Sequence, residues 1–277
     1  MYNVYNDYVI RVHSPSTNNE LQSTNNKKYS LLSVSDTIEK LSTLLDNPAI
    51  IYEVEESSGT YANLYGGQTL SSSTLGIGGT YNGKDAILVA GHVVNPNGNT
   101  SSSGVAVNNS VGTKIATTSY TNFYYDCIGD FSIATCESGY SSTNRVLGTT
   151  SATYRTIVGT AYSGSTPVGT TVYKYGASGG YAVGTISYLN QTVTYKPLLT
   201  DVRVTGLNFF TISLSQGYNT GGGDSGGPVY ISTSAGYKLV GTISGGPTTN
   251  DTAQYAKTIY YSPIYYAEYA GFTVKTS

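Results

Sequence analysis

The chain has 277 residues, enough for one large domain or two with a buried core. Charged residues make up only 11% of it and the net charge is -2, so it carries no basic surface of the kind that binds nucleic acid or an anionic membrane. No apolar run reaches the roughly 18 residues of a membrane-spanning helix, so none is expected.

The composition also favours a particular kind of fold. The 33 glycines and 28 tyrosines, together with many Ser, Thr and Val residues, are typical of short strands joined by tight turns. The low charge and the high content of Ser, Thr, Asn and Tyr are typical of extracellular proteins. The start of the chain lacks a basic region followed by an apolar one, so no signal peptide is predicted there.

Residues 1–61 differ from the rest because they hold more Lys and Glu and few glycines. Residues 3–13 and 49–55 are predicted strands. A helix is predicted between them, because Asp36 and Glu39 form a capping box ahead of apolar residues at helical spacing. This part of the chain is therefore expected to be a small α+β unit.

From residue 62 to about residue 260 the pattern is all-β, because short strands alternate with turns and no helix is predicted. Turn signals occur at Gly66-Gly67, Gly78-Gly79, Asn82-Gly83, Asn97-Gly98, Gly179-Gly180 and Gly245-Gly246. Near the C-terminus, Pro263 is placed like a first-turn proline. A short helix over residues 264–270 is predicted to follow it and to end at Gly271.

The only two cysteines, Cys127 and Cys136, are predicted to be free thiols. An extended segment joining them would span about 30 Å, whereas a disulfide needs Cα atoms within about 7 Å. A disulfide would require the chain to fold back between them. With no histidine nearby they do not form a zinc site, and no metal or organic cofactor is expected.

Residues 220–228, with the sequence TGGGDSGGP, cannot continue a helix or a regular strand because six of the nine are Gly or Pro. Ser225 is the candidate nucleophile, and a serine hydroxyl needs a neighbouring base to act as one. Acyl transfer also needs donors for a developing oxyanion, and the N–H groups of Gly223 and Ser225 are the candidates. Asp224 is predicted to make a structural ion pair. The alternative is a plain glycine-rich turn with an incidental serine.

The candidate base is one of only two histidines. His13 lies in the first predicted strand, where a surface position is expected. His92 lies in ILVAGHVV, interpreted as an apolar strand whose small residues allow another segment to pack closely. A lone histidine in a strand is usually structural, but Ser225 needs a base and His92 is the credible one.

The candidate orienting carboxylate is Asp130, which leads the segment GDFSIA into an apolar strand. A carboxylate placed there must accept hydrogen bonds to be buried, and His92 and a hydroxyl would supply them. Asp126, in a predicted loop, and Asp201 are weaker candidates.

AGH, GDFSIA and GGGDSGGP, in this order, resemble the bacterial branch of the chymotrypsin family, the alpha-lytic protease and streptogrisin group. The resemblance covers residues 62–277 and extends to ANLYGG at 62–67, VGTTVYKYGASGGYAVGTI at 168–186 and GTISGG at 241–246. It implies two antiparallel six-stranded β-barrels with a C-terminal helix and a catalytic site in the cleft between the barrels. It also implies a triad of His92, Asp130 and Ser225.

The sequence departs from this family at its cysteines. Val93 stands where the group usually has a cysteine after the histidine, and Tyr173 and Val183 stand where a disulfide closes a hairpin. The triad residues are all present, so the departure does not affect the predicted chemistry. It removes disulfides that would each contribute about 2–5 kcal/mol to the free energy of unfolding.

The resemblance also implies a pro-region and a substrate-binding cleft. Residues 1–61 would be the pro-region, with the mature chain starting at Ala62 after cleavage behind Tyr61; cleavage behind Leu64 and a fused accessory domain are the alternatives. The specificity pocket would have Asn219 and Thr220 at its base. Its walls would include Ile243 and Pro247, and Ser244, Gly245 and Gly246 would pair with the substrate backbone.

Neither base position is acidic and no histidine is in the pocket, so the residue before the scissile bond is expected to be uncharged and apolar. We therefore expect a secreted, monomeric serine endopeptidase made as a zymogen, with polypeptide substrates and its own pro-region as partners. Two alternatives remain: an adhesive β-domain without turnover, and a protease that cuts only itself.

Overall fold

The computed structural model describes residues 62–98, 103–124, 126–150, 153–162, 164, 166–195, 204–246 and 255–276. The elements predicted within residues 1–61, and with them His13, lie outside the described residues, as do Asp201 and Pro247. The described chain is mostly β-strand. None of its helices is long and apolar enough to cross a membrane.

The first sheet has six strands, and all its pairings are antiparallel. In spatial order they are β18 (Thr273–Val274), β2 (Ile77–Tyr81), β3 (Lys84–Val89), β7 (Phe131–Cys136), β5 (Lys114–Asn122) and β4 (Ala106–Asn108). Side chains such as Ile77, Leu88 and Ile133 are removed from water on its inner face. In β3 and β7 four consecutive residues are buried, so both faces of these two strands are covered by other parts of the chain.

The second sheet has ten strands. Nine of them follow the order β1 (Ala62–Gly66), β8 (Tyr140–Leu147), β9 (Tyr154–Thr160), β15 (Gly236–Gly245), β14 (Pro228–Thr233), β10 (Thr171–Gly176), β11 (Gly180–Tyr195), β12 (Val204–Leu214) and β17 (Thr258–Pro263), and β6 (Cys127–Ile128) pairs with β12. A separate pair joins β13 (Thr220–Gly221) to β16 (Tyr255–Ala256).

The prediction of two antiparallel six-stranded barrels is confirmed in part. In the second sheet β15 also pairs with β17, so β14, β10, β11, β12, β17 and β15 form a ring of antiparallel pairs. The first sheet, however, has two ends, at β18 and β4. Three parallel pairs, β1–β8, β6–β12 and β9–β15, were not expected.

Four of the six predicted turns are present, at Gly66-Gly67, Asn82-Gly83, Asn97-Gly98 and Gly179-Gly180. At Gly245-Gly246 the first glycine is still in β15, paired with Tyr260, and the second is not in a turn. Asn82 and Gly83 form the two-residue turn between β2 and β3, with φ of 49° and 73°, as this sequence favours. Gly78 and Gly79 instead lie inside β2. A Cβ on Gly78 would come within 2.3 Å of the Thr143 carbonyl oxygen, so this glycine permits close packing and not a turn.

Two short α-helices occur among the described residues. The helix α1 spans Gly91–Val94, where a continued strand was predicted, so the prediction of no helix between residues 62 and 260 is wrong at this point. The side-chain amide of Asn95 donates to the Phe123 carbonyl at 2.8 Å and ties this turn to the end of β5, a contact that local sequence cannot reveal. The helix α2 spans Ile264–Tyr269, close to the prediction, and Gly271 follows with a φ of 98°.

Both cysteines are free, as predicted. Cys127 is fully buried and Cys136 is partly buried. Burial raises the pKa of each thiol to about 12, so neither is a thiolate near neutral pH.

Candidate active site

The nucleophile loop runs from β13 to β14 and holds Ser225 in a turn that only glycine can form. Gly226 has a φ of 88°, and a Cβ on it would lie 2.3 Å from the carbonyl oxygen of Thr74. The loop is tied to this same segment through its backbone, because the Thr74 N–H donates to the Ser225 carbonyl at 2.9 Å. Ser225 is thereby fixed beside the segment that joins β1 to β2.

His92 lies in α1, directly after β3, and is brought there by a close backbone approach. A Cβ on the preceding Gly91 would lie 2.8 Å from Phe123 Cβ and 2.9 Å from the Phe131 carbonyl oxygen. The Phe123 ring meets the imidazole edge-on with 5.8 Å between ring centroids. The small residues before the histidine therefore allow the close packing that the sequence predicts.

The imidazole of His92 lies between Ser225 and Asp130. Its Nδ1 is 2.7 Å from Asp130 Oδ2, and its Nε2 is 3.0 Å from Ser225 Oγ. An ionised carboxylate only accepts hydrogen bonds, so the proton of the neutral ring is on Nδ1 and Nε2 is left to accept from the serine hydroxyl. The structure thus brings together three side chains that lie far apart in the sequence.

Asp130 is completely buried and is surrounded by donors. Its Oδ1 accepts the backbone N–H of His92 at 2.9 Å, and its Oδ2 accepts the Ser244 hydroxyl. Burial alone would raise the pKa of Asp130, but the charge of His92 and the hydrogen bonds from His92 and Ser244 outweigh it and lower that pKa. The carboxyl group is therefore held in its charged form.

The other candidate carboxylates take different positions. Asp126 lies in an exposed turn with a φ of 57°. Asp224 makes the predicted ion pair: its Oδ2 lies 2.7 Å from Lys174 Nζ, and both side chains are 1% exposed. Since Lys174 lies on β10, this buried pair anchors the nucleophile loop to the second sheet.

The two candidate oxyanion donors are not used elsewhere. Within the described ranges, the N–H groups of Gly223 and Ser225 donate to no protein acceptor, whereas the intervening Asp224 N–H donates to the Gly221 carbonyl at 3.1 Å. Both flanking amides are therefore available to a ligand beside Ser225. Stabilisation of an oxyanion requires donors that are free in this way.

The expected substrate-binding residues surround the loop. Thr220 donates its hydroxyl to Asp224 at 2.9 Å, and Asn219 Oδ1 accepts from Lys257 Nζ at 2.6 Å. The Ser244 carbonyl oxygen lies 3.3 Å from Ser225 Oγ. At the end of β15, Ile243 is buried, and Gly245 and Gly246 follow Ser244 with partial exposure.

Three contributors to the site were not found from the sequence. Ser262 Oγ accepts the N–H of Asp130 at 3.0 Å, Lys174 pairs with Asp224, and Ser178 contacts the nucleophile loop. Of these three, only Lys174 could have been predicted from the sequence. It occupies an inward-facing position of the strand TVYKYG, and a buried lysine needs a carboxylate partner. The described residues contain no cluster of three or more His, Cys, Asp or Glu side chains suited to a metal ion.

Comparison with known proteins gives a result at the level of fold. No protein-family model and no curated protein matches the sequence. Among solved structures, a chymotrypsin from Cellulomonas bogoriensis is similar, with a TM-score of 0.57 and 22% identity over 78% of this chain and 100% of that one. Protease A of Thermobifida fusca has a TM-score of 0.59 and 23% identity, again over 78% and 100%.

A third similar structure is an alpha-lytic protease homolog, N4, with a TM-score of 0.56 and 19% identity over 77% of this chain and 100% of that one. All three are covered over their whole length. The chain therefore has the fold of the bacterial chymotrypsin-like serine proteases, as its motifs predict.

Proposed function

We propose that the chain is a serine endopeptidase that hydrolyses peptide bonds through an acyl-enzyme. The observation that carries this proposal is the unbroken line of hydrogen bonds from Ser225 through His92 to Asp130. It occurs on a fold shared with serine proteases and beside two unused backbone amides. A hydroxyl, a base, an orienting carboxylate and free amide donors are the groups that acyl transfer uses, and their proximity supports the proposal.

In the first half of the reaction, Ser225 Oγ attacks the scissile carbonyl carbon while its proton passes to His92 Nε2. Asp130 stabilises the resulting imidazolium and keeps the ring oriented. The negative charge that develops on the carbonyl oxygen is received by the amides of Gly223 and Ser225. The imidazolium then protonates the leaving amine, and the C–N bond breaks.

In the second half, a water molecule gives a proton to His92 Nε2 and its oxygen attacks the acyl carbon. The same two amides receive the second oxyanion. Return of the proton to Ser225 Oγ releases the acid product and restores the enzyme. The reaction requires no cofactor.

The protein is further proposed to be secreted and to be made as a zymogen, with residues 1–61 as its pro-region and a monomeric mature form. Two features support a start at Ala62 over cleavage behind Leu64. Leu64 is 1% exposed in the core, and it pairs with Ser142 inside β1. A protease needs an exposed, extended segment, which the bond after Leu64 does not offer. N-terminal sequencing of the active protein should find Ala62 first; an intact Met1 would contradict the proposal.

The proposed preference is for an uncharged, apolar residue before the scissile bond. Asn219 and Thr220 supply no negative charge at the proposed pocket base, and the ammonium of Lys257 beside Asn219 disfavours a cationic side chain. Ser244 to Gly246 would pair with an extended substrate. A panel of peptide substrates tests this preference, and strong selection for Arg or Glu would contradict it.

Two measurements test the activity itself. A fluorophosphonate should label Ser225 in the wild-type chain and not in Ser225→Ala, whereas an adhesive domain without turnover would not be labelled. A denatured protein added in trans should be degraded, whereas a protease limited to its own chain would leave it intact. Absence of labelling under conditions where the chain is folded would contradict the proposed function.

A further inference from the structure

One candidate oxyanion donor, the Gly223 N–H, belongs to a peptide unit whose orientation is not restricted by the residues around it in the sequence. This peptide unit joins Gly222 to Gly223 and is preceded by Gly221, so three glycines in a row precede Asp224. Glycine accepts left-handed as well as right-handed backbone angles, and Gly223 has a φ of 95°. A peptide between two glycines can therefore turn over at little cost, which would replace the inward N–H by a carbonyl oxygen.

Ser178 opposes this rotation from the neighbouring hairpin. It lies in the turn between β10 and β11, and its hydroxyl donates to the carbonyl oxygen of Gly222. The peptide unit is planar and trans, so its C=O and N–H point in opposite directions. Holding the Gly222 carbonyl on one side therefore directs the Gly223 N–H to the other side, where it meets no protein acceptor within the described structure.

Ser178 is itself held by the nucleophile loop. The backbone N–H groups of Ser178 and Gly179 both donate to Asp224 Oδ1 at 2.8 Å. The other carboxylate oxygen of Asp224 is bound to Lys174. The backbone that carries the Ser178 hydroxyl is therefore held in place by Asp224, which is itself held by the buried ion pair with Lys174.

The next peptide unit is held in a similar way, by Thr74. This fully buried residue donates its hydroxyl to the Gly223 carbonyl at 2.6 Å and accepts the Ala177 N–H at 2.9 Å. Two successive carbonyls of the loop are therefore fixed by hydroxyl groups from other segments. Of the two, only the bond from Ser178 acts on the peptide unit that contains the Gly223 N–H.

We propose that Ser178 is a positioning residue that keeps the Gly222–Gly223 peptide in the orientation required for oxyanion binding. The inference rests on the proposed function, because it assigns a role within that reaction. Ser178 does not touch the reacting atoms and acts only through the Gly223 N–H. Its contribution is therefore to the transition state and not to the binding of substrate.

The expected effect follows from the strength of one hydrogen bond. The loss of a typical hydrogen bond changes the ratio of two orientations by about five- to tenfold. Complete loss of an oxyanion donor lowers kcat by about 100-fold or more, so partial misorientation in Ser178→Ala should lower kcat by about five- to tenfold. KM should stay within about twofold, since the oxyanion exists only in the transition state.

The experiment measures kcat and KM of the purified 277-residue chain, after any self-processing, on a peptide p-nitroanilide accepted by the wild type. Ser178→Thr keeps a hydroxyl at the same position and should restore kcat to within about twofold. Ser187→Ala is the matched control, because Ser187 lies on β11 and its hydroxyl donates to the Thr211 carbonyl, away from the nucleophile loop. It should leave kcat unchanged.

The results separate this inference from the proposed function. An inactive wild type would contradict the proposed function. An active wild type with equal kcat in Ser178→Ala would contradict only the role of Ser178. Three other results would contradict that role. The first is a kcat of Ser178→Thr as low as that of Ser178→Ala, and the second is an equally low kcat of Ser187→Ala. The third is a rise in the KM of Ser178→Ala with kcat unchanged. Thermal unfolding of each variant shows whether any loss of kcat follows global destabilisation.

Discussion

Asp130 is the residue on which the geometry of the candidate site depends most directly. It is completely buried, and it accepts from both the backbone and the ring of His92 as well as from Ser244. With this carboxylate in place, the ring proton is on Nδ1 and the free electron pair of Nε2 faces Ser225. A neutral amide of the same shape could stabilise the opposite tautomer.

Asp130→Asn should lower kcat by about 10,000-fold. The asparagine amide can donate to Nδ1, which would move the proton to Nε2 and remove the acceptor for Ser225. Steady-state hydrolysis of a peptide substrate measures the change. Asp126→Asn is the matched control, since Asp126 is exposed, and it should keep wild-type kcat. Equal activity of the two variants would refute the proposed role of Asp130.

The free energy of unfolding at acid pH should also depend on Asp130. Its pKa is lowered from the ordinary value of 3.8, because the charge of His92 and the hydrogen bonds outweigh the opposing effect of burial. The folded chain then binds fewer protons than the unfolded chain near that pH, so the stabilisation is present above 3.8 and lost as the pH falls below it. Urea unfolding of the wild type and Asp130→Asn should show a difference in free energy of unfolding that narrows below this pH. A constant difference would contradict the prediction.

The roles of single residues could be predicted from the sequence only where chemistry and chain order agreed. A serine in GDSGGP requires a base, and only His92 and Asp130 fit the order; the structure brings these side chains together. A hydroxyl group was expected to donate to Asp130, and Ser244 supplies it. Ser178 gave no signal, because its role depends on a carbonyl group 44 residues away.

At the scale of elements, the nucleophile loop is held to β10 by the ion pair of Lys174 and Asp224, whose side chains are each 1% exposed. Removal of one partner from such a pair leaves an uncompensated buried charge. Burial lowers the pKa of Lys174, and the attraction of Asp224 opposes this effect. The loop and the strand therefore depend on each other.

Lys174→Met should lower the free energy of unfolding by about 3–5 kcal/mol, as measured by urea unfolding, and should also lower kcat because the loop loses its anchor. Lys114→Met is the matched control, since Lys114 and Glu137 form a salt bridge with side chains 48% and 36% exposed. It should change stability little. If both variants lose the same stability, the buried pair is not the anchor.

Glycines inside strands provide a second test at this scale. Gly78 on β2 has no room for a Cβ beside the Thr143 carbonyl, whereas Gly159 on β9 has no atom within 4 Å of that position. Gly78→Ala should lower the free energy of unfolding by about 1–3 kcal/mol through overpacking, and Gly159→Ala should not. Chemical denaturation of both variants measures this. A stable Gly78→Ala would mean that β2 and β8 can separate without cost.

Whether an element could be predicted depended on whether its cause was local. The Asn82-Gly83 hairpin turn carries its signal in two adjacent residues and was predicted correctly. The helix α1 was predicted as strand. The hydrogen bond that holds its end is accepted by Phe123, a distant residue, so the local sequence carries no sign of it. The parallel pairs β1–β8 and β9–β15 join strands far apart in sequence, and no periodicity in either strand encodes the direction of its neighbour.

At the scale of the whole molecule, the fold is maintained without a covalent cross-link. Both cysteines are free. Tyr173 and Val183, where the resembled group has a disulfide, face each other across β10 and β11. Tyr173 also stacks on Tyr230 and Tyr181, with Arg155 within 6 Å of each of the three rings. Packing of aromatic rings around a cation thus occupies the place of the missing bridge.

Thermal unfolding should therefore be insensitive to reductant. The melting temperature with and without dithiothreitol should agree within about 2 °C. Loss of one bridge worth about 2–5 kcal/mol would instead lower the melting temperature of a chain of this size by at least about 4 °C. Such a decrease would show that a disulfide forms in solution.

The counter-ion of Asp224 comes from within the second sheet. Because Lys174 is part of β10, the charge pair is completed when that sheet assembles, and no newly exposed chain terminus is required. The nucleophile loop therefore takes its shape when the second sheet folds, without any cleavage of the chain. No cleavage is needed to bring Asp224 to its counter-ion, because both side chains lie within residues 174–224.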